Sequence, residues 1–322
     1  MYKRLAAGFA GLVAFASTGL SQAEEQWPTR PVTLVVAYAP AGMTDLVTRN
    51  LVVELGKKFG QTFVVENKPG AAGIVGAQYV AHKAPDGYTL LVGATGHVIN
   101  PAVKKDMPFD PRKDFEDIAM LAIGPNLIVA HPSSGVTSIK QLADYAKQHK
   151  SIPYATAGAG TATHITGEQL RADSKLPLLH VPYKGSGPAM QDVVAGQVPF
   201  GIIDSVAAAP FIKAGSVNVI AVTSKKRSQM FPDVPTLEEQ GYPGFDETSW
   251  IGLYAPVGTP QAIVQKLNLA IQEASQTPAA LKYIHSTGSE PGSLSPADFK
   301  VYVNGEIDKW QKRVKALNIE GS

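Results

Sequence analysis

The chain has 322 residues, 44% of them hydrophobic and 17% charged, with a formal net charge of +2 and no cysteine. That length accommodates about two domains, and the apolar content with so little net charge excludes an intrinsically disordered chain. The absence of cysteine excludes disulfide scaffolds, cysteine-ligated metal centres and thiol enzymes.

Met1-Tyr2-Lys3-Arg4 is a basic start, followed by an apolar stretch from Leu5 to about Ala16 and by the small residues of Ser21-Gln22-Ala23. This pattern predicts a secretory signal peptide over residues 1–23, cut after Ala23, and hence a periplasmic protein. The apolar stretch is short for a membrane anchor and carries Gly8 and Gly11. Removing Lys3 and Arg4 takes Lys plus Arg from 29 to 27, equal to the 27 Asp plus Glu. Lys225-Lys226-Arg227 is the one compact basic run, so nucleic acid is not an expected partner.

In chain order, Pro31–Tyr38 reads as a buried parallel strand, broken by Pro40-Ala41-Gly42, and a helix opens at Thr44-Asp45. Val47, Leu51 and Leu55 give that helix an apolar stripe. A strand at Thr62–Glu66, a small-residue helix from Gly73 to Ala84 and a strand at Tyr88–Val92 complete a β-α-β-α-β rhythm. Further strands are predicted at Leu127–Ala130, Ile152–Thr156, Leu179–Val181, Phe200–Ile203, Val217–Val222 and Trp250–Ala255. Helices are expected over Ser138–Lys147, Thr161–Asp173, Pro260–Glu273 and Pro296–Ala316. The rhythm predicts doubly wound α/β sheets, which the chain length divides between two domains, with ligand crevices at the carboxyl ends of their strands. Turn residues near Gly124-Pro125 and from Gly244 to Thr248 place the crossings. The first domain is then 24–125 with 247–322, and the inserted second domain is 126–246.

Catalytic motifs are missing: there is no G-x-S-x-G, S-x-x-K, H-E-x-x-H or Walker A sequence, and no two histidines stand at ligand-pair spacing. No metal and no cofactor is expected. Gly158-Ala159-Gly160 half-resembles a dinucleotide fingerprint but lacks its third glycine. Instead, Pro40–Asp45, Thr95-Gly96-His97 and Gly158–His164 each end a strand and open a helix with small residues. Free N–H groups and a positive dipole end let such loops hold a carboxylate without Lys or Arg, with Thr44, Thr161 and Thr163 supplying hydroxyls. Asp45 also suits the first turn of its own helix. Lys184–Pro188 reads equally as an anion cradle or as a surface turn.

Several strings in one order, among them Ala39–Asp45, Val65–Gly73, Pro85–Leu91, His180–Gly185, Pro232–Thr236 and Ala255–Pro260, resemble the TctC/Bug family of periplasmic receptors of tripartite tricarboxylate transporters. The resemblance spans the mature chain. It implies a Venus-flytrap architecture, capture of a small organic carboxylate by domain closure, and delivery to a permease with a large and a small integral membrane subunit. It also implies a monomer without enzymatic activity. Carried over by motif, the ligand-binding residues are Tyr38, Ala41, Gly42, Met43, Thr44 and Asp45 from the first loop, Gly160, Thr161 and His164 from the glycine-rich loop, and Asp204. Thr95 and His97 are added from their place at a strand end. Where the family commonly has two glycines, this chain has Ala41 and Gly42 followed by Met43. The methyl of Ala41 permits helix-terminus binding provided that its φ is negative. Two alternatives are an exported sensor signalling to a membrane protein, and a hydrolase or isomerase using His97 or His164 with Asp204.

Overall fold

The computed structural model describes residues 27–319, so the expected signal peptide lies outside the described residues. The first run of elements is β1 (Val32–Val36), α1 (Met43–Phe59), β2 (Phe63–Asn67), α2 (Ile74–Ala81), β3 (Thr89–Ala94) and α3 (Gly96–Val103). A 16-residue strand, β4 (Phe115–Ala130), follows. Next come α4 (Ile139–Ala146), β5 (Ile152–Thr156), α5 (Ala162–Ser174), β6 (Leu178–Pro182), α6 (Ser186–Val194), β7 (Phe200–Asp204), α7 (Ser205–Lys213) and β8 (Asn218–Val222). The chain ends with β9 (Thr248–Pro256), α8 (Gln261–Ser275), α9 (Pro278–His285), the short β10 (Glu290–Pro291) and α10 (Pro296–Ala316).

Two twisted sheets share β4. In the first, β1 pairs in parallel with both β2 and β3, while β9 runs antiparallel between β3 and β4. In the second, β5 pairs in parallel with both β6 and β7, and β4 runs antiparallel to β7 and β8. β4 pairs with β9 up to Pro125↔Thr248 and with β7 from Asn126↔Asp204 onward. Gly124-Pro125, expected as turn residues, therefore lie inside an unbroken strand. A proline is tolerated there at the changeover from one sheet partner to the next.

Both sheets are covered on both faces, so successive strand residues feed different cores. Leu34 and Val36 join Leu51, Leu55, Leu267 and Ile271 beneath α1 and α8, whereas Val35 joins Val98, Phe299 and Trp310 beneath α3 and α10. Leu127 and Val129 face Met190 and Val193 of α6, and Ile128 and Ala130 face Ile139 and Leu142 of α4. This two-sided burial explains the unbroken apolar runs of the central strands, whereas the edge strands β2 and β6 leave Val64 and Leu179 exposed. α1 ends at Gly60, whose φ of 64° lets its N–H return to the Gly56 carbonyl.

Candidate functional site

The order β2-β1-β3 means that the chain leaves β1 toward one side and β3 toward the other. The order β6-β5-β7 repeats this in the second sheet. Each is a topological switch point, where the carboxyl ends of neighbouring strands leave a crevice. The two crevices face one another across a cleft whose empty space, open to solvent, is about 420 Å³. Tyr38, Gly42, Met43 and Thr44 line it after β1, and Ala94, Thr95 and Gly96 after β3. Ala157 and Thr161–Thr163 line it after β5, and Asp204 after β7. Ser186 at the start of α6, with Ser249 and Ile251 of β9, completes the wall.

Seven of the twelve residues expected from the sequence lie in this lining: Tyr38, Gly42, Met43, Thr44, Thr95, Thr161 and Asp204. Ala41, Asp45, His97, Gly160 and His164 do not. Asp45 accepts from the Ala41 N–H (3.1 Å), Arg49 Nε (2.9 Å) and Asn67 Nδ2 (2.9 Å), so its carboxylate is engaged in shaping the loop. Burial pushes its pKa up, but Arg49, the Ala41 N–H and Asn67 together hold it below the ordinary value. Ala41 itself has a φ of 67°, the left-handed region, against the condition set for it above. An alanine there costs about 1–2 kcal/mol, which a glycine would avoid.

His97 turns away from the cavity into an aromatic cluster, 5.5 Å from the Phe109 ring, 4.9 Å from Phe115 and 4.7 Å from Tyr254. Neither ring nitrogen has a hydrogen-bond partner among the described residues, and burial drives its pKa down to about 3. His164 stacks on His180 at 4.2 Å, and its Nδ1 accepts the Gly160 N–H at 3.2 Å. That bond needs the unprotonated imidazole, and burial lowers the pKa of His164 accordingly. Gly160 thus supports the cavity from behind. A hydrolase built on either histidine with Asp204 lacks an imidazole in the cavity wall.

The electrostatics come from helix ends. Among the described residues no side-chain cap closes the N-terminus of α1, α3 or α6. Apart from the Met43 N–H of α1, which the Asp204 carboxylate engages, their first N–H groups are available to an anion. Thr95, at the start of α3, instead bonds the Trp250 carbonyl (3.2 Å) and N–H (3.0 Å), tying the α3 terminus to β9. Thr161 caps α5 and donates to the Gly158 carbonyl at 2.6 Å, which shapes the glycine loop. Asp204 caps α7 through the Ala207 N–H at 2.9 Å. Burial raises its pKa, while the Ser186 hydroxyl and the Ala207 and Met43 N–H groups oppose that rise. Among the described residues, the lining contains no Lys or Arg, and no cluster of His, Asp and Glu suited to a metal occurs.

Ser186 was legible only as part of an ambiguous turn, and Thr163 as a hydroxyl beside its loop. Ser249 and Ile251 carry no motif. They reach the cavity because β9 returns between β3 and β4 after a long excursion of the chain.

Residues 47–319 match the sequence profile of the tripartite tricarboxylate transporter family receptor. The chain belongs to this family. The protein BugT of Bordetella pertussis is 30% identical over 310 residues, spanning 95% of each chain. Among solved structures, Rpa4515 of R. palustris with adipate has a TM-score of 0.88 at 36% identity, covering 92% of this chain and 100% of that one. MatC (Rpa3494) from Rhodopseudomonas palustris with bound malate has a TM-score of 0.85 at 35% identity, covering 89% and 100%. This receptor is a solute-binding protein of the periplasmic type and not an enzyme. No helix among its described residues is long and apolar enough to cross a membrane.

Proposed function

We propose that the protein captures a small organic carboxylate between its two lobes in the periplasm, after removal of residues 1–23, and presents it to a tripartite tricarboxylate-type permease. The observation that carries this reading is the pair of uncapped helix N-termini, those of α1 and α3, opening side by side into a cavity lined without Lys or Arg. Free N–H groups at these ends supply directed hydrogen bonds, and the helix dipoles favour negative charge. Closure excludes water, which strengthens each N–H···carboxylate bond. Tyr38, Gly42, Met43, Thr44, Thr95, Thr161 and Asp204 form the contact set, with Ser186 and Ser249 as added hydroxyls. The lobes are 24–125 with 247–322, and 126–246. The change of β4 partners between Pro125 and Asn126 supports that division. Adipate and malate in related structures support the ligand class.

Equilibrium dialysis against labelled malate and adipate tests the capture. Retention of an acid that is recovered chemically unchanged supports a receptor, whereas recovery of a new product would point back to the enzyme alternative. Uptake of the retained acid by cells with and without the protein then separates transport from sensing. Loss of uptake on deletion supports delivery to a permease, and unchanged uptake supports a sensor.

A further inference from the structure

Capture by closure, as proposed above, needs surfaces that meet only when the two lobes come together. One such seam joins the loop after β1, in the first lobe, to the start of α6, in the second. The Ala39 N–H donates to the Lys184 carbonyl across it at 2.9 Å. Immediately beyond, Gly187 lies against the backbone of the first lobe. A Cβ there would stand 2.2 Å from the Pro40 carbonyl oxygen and 3.0 Å from the Ala41 carbonyl carbon. Outside its own helix, the three atoms nearest to that Cβ all belong to residues 40 and 41. Backbone atoms cannot rotate away as a side-chain tip can, so only separation of the loops would relieve that overlap. A second close approach lies at Gly160, where a Cβ would meet Asn100 Oδ1 at 2.5 Å.

We propose that Gly187 is a closure-setting residue: its missing side chain lets α6 seat on the β1–α1 loop, and this contact fixes how tightly ligand is held. Gly187 is absent from the cavity lining, so it acts on the ligand through the closed geometry and not by touching it. It is a positioning residue. A side chain at this place shifts the lobes toward an open arrangement, and apparent affinity falls in proportion to the closed fraction. Asp204 and Ser186 stand on the cavity side of the same seam, so a widened seam also moves two wall residues apart from Met43.

Pro188 follows Gly187, and a residue before proline is disfavoured in helical geometry once it carries a Cβ. Overall stability is therefore a poor readout for Gly187→Ala alone. The double variant Gly187→Ala/Pro188→Ala removes that local restriction and keeps the overlap at the seam. Gly305→Ala, at an exposed position of α10 with nothing within 4 Å of a built Cβ, is the control.

The test is amide hydrogen exchange of the whole protein together with titration by malate and by adipate. In both Gly187 variants the Ala39 amide is expected to exchange about tenfold faster or more, and affinity for the bound acid to fall by a similar factor. Exchange in α8 and α10 stays as in the parent, and Gly305→Ala changes neither affinity nor the Ala39 amide. Unchanged Ala39 exchange in both Gly187 variants would overturn the proposal. Faster exchange throughout the second lobe would overturn it too, because Gly187 would then serve the fold of that lobe. Should neither acid bind the parent protein, the carboxylate reading fails separately, and the Ala39 amide still decides the seam.

Discussion

Single side chains behind the cavity carry costs that the fold accepts. His97 buries two ring nitrogens without partners, and an unsatisfied buried polar group costs about 1–3 kcal/mol. His97→Phe keeps the aromatic packing and removes both nitrogens. We expect it to raise stability by about 1 kcal/mol or more in urea unfolding while leaving ligand affinity unchanged. A catalytic or ligand-contacting His97 would give the opposite result, with affinity or turnover lost. Asp117 of β4 is buried with Oδ1 unpartnered. Burial pushes its pKa up to about 7, against a lowering by Lys300 and a further rise from Glu116. The folded state thus holds a proton that the unfolded chain gives up near pH 4. This group's contribution is present below that pH and is lost as pH rises to about 7, a loss of at most on the order of 4 kcal/mol. Asp117→Asn cannot ionise, so its stability advantage over the parent should grow between pH 5 and pH 8. An advantage independent of pH would contradict the assignment. None of this was visible in the sequence, where His97 sits beside Thr95 and Gly96 in a plausible ligand loop. Position at a strand end does not say which way the first helical turn rotates a ring, and three aromatic residues from distant segments decide it.

Elements were more legible than side chains wherever burial left a long apolar run. The expected strands at Val217–Val222 and Trp250–Ala255 fall on β8 and β9, and the helix over Pro296–Ala316 coincides with α10. The first half of β4 escaped because Glu116, Asp117 and Gly124-Pro125 break its pattern, although β9 on one side and helices on both faces hold it in place. α6 and α7, nine residues each, carry proline inside, which interrupts a helical pattern. Capped and uncapped helix starts divide the labour. Ser138 caps α4 on the surface, accepting the Gln141 N–H at 3.2 Å. Thr161 caps α5 in the cavity wall while holding Gly158. Ser138→Ala and Thr161→Ala should each cost about 1 kcal/mol of stability. Only the second should also weaken ligand binding, read by calorimetric titration. Equal affinity losses, or none in either, would detach the glycine loop from the site.

At the scale of the molecule, two sheets joined through β4 bring two switch points face to face, and the site exists only where they meet. That is why the sequence disclosed the loops separately and seven of the contributing positions, yet not Ser249, Ile251 or the role of Ser186. Their approach to the cavity is a consequence of topology and not of local pattern. In the proposed function, helix N-termini hold a carboxylate without a cationic side chain. The direct measurement is thermal unfolding of the protein with malate and adipate, beside the corresponding amides, at low and high salt. An acid at a hundred times its dissociation constant should stabilise the fold by about 2.7 kcal/mol and move the midpoint by several degrees. The amide should move it little, and added salt should weaken the acid's effect only modestly, because the bonds are short and shielded from solvent. Equal shifts with acid and amide, or an effect of the acid abolished by salt, would contradict the account.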